Sequence, residues 1–115
     1  MSPTSKSTSD LLAAISAGGP EALAEVLAEN GAAAEVTSLD PRTVGLVRLA
    51  SLIALDAPPA SYADQVAGVI EAGATAEDIL GVLRAVAPQV GGPRVVAAAP
   101  EIMLALGLSL PELPE

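Results

Sequence analysis

The strongest constraint on how this chain can fold is the stretch 62–93, YADQVAGVIEAGATAEDILGVLRAVAPQVGGP, where two helix-period apolar stripes are joined by a few residues. Tyr62, Val66, Val69 and Ile70 recur at i, i+4, i+7 and i+8, which is one face of a helix with 3.6 residues per turn. Gly73 ends that helix, because glycine takes the left-handed C′ conformation without a Cβ clash. Thr75 caps the next one, with Asp78 at N3 where a capping box ordinarily carries Glu or Gln. Ile79, Leu80, Leu83, Val86, Ala87 and Val90 form the second stripe. So short a turn forces the two helices to pack as antiparallel or steeply crossed neighbours.

Helical punctuation continues on both sides of this pair. Residues 1–8 are rich in Ser and Thr and read as a disordered leader. Ser9 or Asp10 can cap a short helix over 11–17, and Gly18 and Gly19 stop it. Pro20 opens a second segment over 20–29, with Glu21, Glu25 and Glu29 on its polar side. Asp40 as N-cap and Pro41 at N1 start a helix over 41–55 that is apolar almost all round, through Val44, Leu46, Val47, Leu49, Leu52, Ile53 and Leu55. Asp56, Ala57, Pro58 and Pro59 form a stiff joint. Pro93 begins a last helix that ends at Gly107, with a kink or break expected near Ala99 because Pro100 lies inside it; Pro88 should bend the helix before it. The glycines inside helices, Gly45, Gly68 and Gly81, suggest close helix approach. The expectation is an all-α protein of about six helices: N-terminal helices within 9–38, a core over 39–107 and an extended tail over 108–115.

Composition decides how such helices can be stabilised. Of 115 residues 51% are hydrophobic but one, Tyr62, is aromatic, so the core must be built from Ala, Leu, Val and Ile. The mean hydropathy of +0.55 calls for an apolar face covered either by a second copy of the chain or by a membrane. The longest apolar run, 44–55, is interrupted by Arg48 and falls short of the roughly 20 residues a span requires. The polar start, MSPTSKSTSD, does not read as a signal peptide, so a cytoplasmic protein is expected. Five Lys and Arg against fourteen Asp and Glu give a net charge of −9, which argues against binding to nucleic acid.

The order LDPRTVGLVRLASLIAL, then a joint, then VAGVIEAGATAEDILGVLRAVAPQVGGP resembles the carboxymuconolactone decarboxylase and alkylhydroperoxidase D (AhpD-like) family. The resemblance rests on Leu39, Pro41, Arg42 and Thr43, on Glu71 through Thr75 with Glu77 and Asp78, and on Gly91 and Pro93, and it covers about residues 39–107. It implies an all-α subunit assembling into trimers or hexamers. It also implies where chemistry would sit. Redox members of the family carry Cys-x-x-Cys and then His, positions that fall here on Pro58, Ser61 and Gln65, and a glutamate that falls on Gly45. The decarboxylase branch likewise uses the His, here Gln65. None of the four is retained, which marks a divergent member.

The residue inventory points the same way without the family. The chain has no Cys and no His, so thiol nucleophiles, imidazole bases and most zinc sites are excluded, and neither a cofactor nor a metal is expected. The remaining candidates for a ligand pocket are Arg48 and Ser51, three apart on one helix, and Tyr62 and Gln65, three apart on the next. Together they suit a small organic ligand bearing a carboxylate or carbonyl. Two readings follow: a homo-oligomeric small-ligand-binding or assembly protein that has lost the family's reactions, or an enzyme doing lactone or proton-transfer chemistry with Tyr, Arg or carboxylate groups. Arg84, two turns after Glu77 on the same face, reads as a member of a solvated or interfacial ion pair.

Overall fold

The computed structural model of the protein describes residues 6–27 and 38–110. Within them are six α-helices and no strand: α1 (Lys6–Ser16), α2 (Pro20–Leu27), α3 (Pro41–Leu55), α4 (Pro59–Glu71), α5 (Ala76–Val90) and α6 (Gly92–Ala105). The chain divides into two compact units, Met1–Ser38 and Leu39–Glu115.

In the first unit α1 begins at Lys6, ahead of Ser9 and Asp10, where a cap was expected. Lys, Ser and Thr are ordinary or mildly poor helix formers, not breakers, so nothing after Pro3 forbids the extra turn. Gly18, at φ 73, ends the helix by donating to the Ile15 carbonyl while Gly19 donates to that of Ala14. Pro20 then occupies the first position of α2. Ala22 is the buried residue of this hairpin, whereas Leu11, Leu12, Leu23, Val26 and Leu27 are exposed. The stop expected at Asn30 and Gly31, Glu29, and most of residues 1–8, 32–39 and 108–115 lie outside the described residues.

The second unit is a four-helix arrangement whose boundaries are set by caps. Asp40 accepts from the Thr43 amide at 2.8 Å and Pro41 follows at N1. Pro59, read as part of the joint, instead opens α4 behind Pro58 as N-cap, since proline at N1 has no amide to leave unbonded. At the far end of α4 the Ala74 amide reaches the Val69 carbonyl and the Gly73 amide that of Ile70, both at 3.0 Å, with Gly73 at φ 102. The capping box of α5 is complete: Thr75 Oγ1 accepts from the Asp78 amide at 3.1 Å and Asp78 accepts from the Thr75 amide at 2.8 Å. Arg42 of α3 donates to the same Asp78 carboxylate at 2.7 Å. Asp56 ends α3 in the left-handed region at φ 53, where glycine is the commoner choice.

Leu49 and Ile53 of α3, Tyr62, Val66 and Val69 of α4, Ala74, Ile79 and Leu83 around α5, and Ala98 and Ile102 of α6 form one buried cluster. At about 0.8 kcal/mol per buried CH₂, short aliphatics of this kind stabilise only if the helices close tightly on one another. The helix expected to break near Ala99 does not: α6 runs unbroken through Pro100, as α5 does through Pro88. Proline deprives the carbonyl four residues earlier of its partner. Those carbonyls belong to Val96, 72% exposed, and to the exposed Arg84, so water can take them.

Two caps carry a pH dependence. The Thr43 amide, first among the causes, holds Asp40 below the ordinary aspartate value of 3.8; the Thr75 amide and then the Arg42 guanidinium do the same for Asp78. Both carboxyls are more acidic folded than unfolded, so their contribution is present above about pH 4 and is lost as pH falls through the folded values. Urea midpoints measured from neutral pH downward should therefore drop below about pH 4. Asp78→Ala should lower the midpoint at pH 7 and make that drop shallower; a profile identical to the parent's would remove Asp78 from the linkage.

Candidate functional site

The place where the family resemblance puts its reacting groups is the contact between α3 and α4. Gly45 is buried on α3, facing Val69 of α4, which is itself in the core. A Cβ built on Gly45 would stand 2.8 Å from Val69 Cγ2 and 3.1 Å from Val69 Cβ. Only a hydrogen fits there. One turn earlier on α4 the half-buried Gln65 donates through Nε2 to the Gly45 carbonyl at 3.2 Å, bridging residues 20 apart in sequence. That carbonyl has two lone pairs and can accept both this bond and its helical one.

The four positions thus have concrete surroundings. Those of Gln65 and Gly45 meet, as an acid and a base sharing one site would have to. Pro58 is the exposed N-cap of α4, and its carbonyl accepts from the Ser61 amide at 3.0 Å. A carboxamide donating to a main-chain carbonyl, a proline and a serine contain neither thiolate nor titratable base. The volume a glutamate would need is filled by Val69. The arrangement packs α3 against α4.

The residues proposed to line a polar pocket are distributed differently. Arg48 and Ser51 both lie on the exposed face of α3, and the Ser51 hydroxyl donates to the Arg48 carbonyl at 2.6 Å, a local bond within one turn. Tyr62 is 2% exposed and sits among the core aliphatics. Burial first, then the Asp56 and Glu101 carboxylates, push its phenol above the ordinary 10.0, so at neutral pH it can donate a proton to a hydrogen bond but not act as a base. Among the described residues no hydrogen bond joins Arg48 or Ser51 to Tyr62 or Gln65.

A groove between α5 and α6, about 240 Å³ in volume, is the concavity in this unit that sequence reasoning did not anticipate. It is lined by Ala76, Ile79, Leu80, Leu83, Ala99, Ile102, Met103, Leu106 and Leu108, all apolar. It can take up an aliphatic or aromatic moiety and supplies no charged or titratable group to orient one. The signal for it was present in the facing stripes of the two helices, but a stripe does not reveal whether its neighbour fills it. In the first unit an open hollow of about 530 Å³ beside α1 and α2 carries Glu21 and Glu25 on its wall. No group of Cys, Asp or Glu among the described residues is arranged to hold a metal ion.

The helix glycines need one correction. Gly45 does mark close approach, but a Cβ on Gly68 or on Gly81 would meet nothing within 4 Å among the described residues. The Gly45 contact gives a double-mutant test. Gly45→Ala should gain about 1 kcal/mol of helix propensity and lose about 1–3 kcal/mol to overpacking against Val69, for a net destabilisation of about 1 kcal/mol. In that background Val69→Ala should cost less than in the parent, read as non-additivity in urea unfolding. Additive effects would mean that the two residues do not touch.

No helix among the described residues is long and apolar enough to cross a membrane. Compared with known proteins, the chain matches no curated protein and no solved structure. Residues 13–102 match the family model described as the carboxymuconolactone decarboxylase family. The match reaches back into α1 and takes in all of α2, beyond the stretch 39–107 on which the motif resemblance rests.

Proposed function

The chain belongs to the carboxymuconolactone decarboxylase family, and we propose that it is a homo-oligomeric binding protein of that family that has lost the thiol-redox and histidine-dependent reactions. One observation carries the reading: Gly45 and Gln65, at the positions of the family's acid and base, are bonded to each other, with Val69 against them. Loss of a nucleophile alone leaves a hole that another group could use. Here that space is taken up by a helix contact, and restoring one residue would require moving a helix.

Two further facts support the binding and assembly parts. The groove between α5 and α6 is wholly apolar, which suits a small hydrophobic ligand held by burial alone. Val47, Leu55, Leu80, Val96 and Leu104 are exposed in the second unit, and a second copy of the chain would cover them.

Light scattering of the purified chain should give a mass at least twice that of the 11.3 kDa subunit, and assays with an organic hydroperoxide and with a muconolactone-type substrate should give no turnover. A monomer across the accessible concentration range would overturn the assembly. Thiol-independent turnover abolished by Tyr62→Phe or Arg48→Ala, with the oligomer intact, would establish the enzymatic reading instead.

A further inference from the structure

Helix α5 presents a face that nothing among the described residues of its own unit packs against. Gly81 lies mid-helix, is exposed, and has no neighbour that a side chain would strike, although glycine there weakens the helix relative to alanine. Beside it Leu80 is 54% exposed. On the same face, one turn to either side, stand Glu77 and Arg84. The ion pair found among the described residues joins Arg42 to Asp78 and leaves both of these out. No acid lies three or four residues from Arg84, and no base lies so from Glu77. Seven residues rise about 10 Å along a helix, so the two cannot pair with each other in one chain.

This face is its own complement. With two copies of α5 antiparallel about a two-fold axis passing between Leu80 and Gly81, residues whose numbers sum to the same value face each other. Leu80 then meets the partner's Gly81 and Glu77 meets the partner's Arg84, each contact occurring twice. The exposed leucine enters the space where the glycine has no side chain, and the acid and base neutralise each other across the contact.

We infer that the face of α5 bearing Glu77, Leu80, Gly81 and Arg84 is an isologous contact surface for a second copy of this chain. The inference rests on the self-assembly proposed above and names the surface that carries one step of it. A stable pair requires about 1,200 Å² or more of total burial, more than one four-turn helix face supplies. The contact therefore spreads onto the adjoining groove rim at Met103 and Leu108, beside Ala76 and Leu80.

Charge reversal tests the surface, because the pattern predicts rescue within a single chain. Glu77→Arg and Arg84→Glu should each set like charges against each other twice and weaken one association step by about tenfold or more, measured by sedimentation equilibrium. The double variant Glu77→Arg/Arg84→Glu should return to within about threefold of the parent. Gly81→Leu, which meets nothing in the subunit, should abolish the same step, with far-UV circular dichroism and melting confirming an intact fold. Should the parent associate while the three single variants associate equally well, this surface is wrong and the assembly stands. Should the parent itself be a monomer at all concentrations, both fail. Two weakened single variants with no recovery in the double would also overturn the antiparallel pairing.

Discussion

Everything in the larger unit depends on how closely α3 can approach α4. The core has one large side chain, Tyr62, and is otherwise built of Ala, Val, Leu and Ile. Small side chains reach across a helix interface only if the backbones nearly touch, and Gly45 against Val69 is where these two do so. The Gln65 amide fixes the same contact from one side. Leu49 and Ile53, one and two turns beyond Gly45, are fully buried as a result. A side chain at position 45 would press on Val69 and push the rest of that stripe outward.

Much of this was legible in the sequence where a local rule decides. Asp40 and Pro41, Thr75 with Asp78, Gly73 and Gly107 state their own helix boundaries, because caps and left-handed turns are chemistry of three or four adjacent residues. Tyr62, Val66, Val69, Ile79 and Leu83 lie inside as their spacing indicates, whereas Ile70 and Leu80 of the same stripes are exposed. What spacing cannot supply is the neighbour. Gly45, Gly68 and Gly81 look alike on paper, yet one has Val69 against it and two face open space. Pro100 reads as a breaker, and the helix survives because the carbonyl it strands belongs to a residue in water. Arg48, Ser51, Tyr62 and Gln65 have pocket-like spacing, but Arg48 and Ser51 turn outward while Tyr62 turns inward.

The charged groups of the described residues sit at the ends and on the outsides of helices. Asp40 and Asp78 are bound to amides at helix starts, and Arg42 is committed to Asp78. Arg48, Arg84 and Arg94 are exposed on α3, α5 and α6. Interior polar groups are few, and among the described residues no buried side-chain nitrogen or oxygen lacks a hydrogen-bond partner.

Tyr62 has a practical consequence. With no Trp and no Phe in the chain, this phenol is the sole aromatic chromophore in the near ultraviolet and the sole intrinsic fluorophore, and it is buried in the helix packing. Its emission therefore reports on one location with no background from elsewhere, so any ligand, denaturant or subunit exchange that loosens the core can be followed without attaching a label.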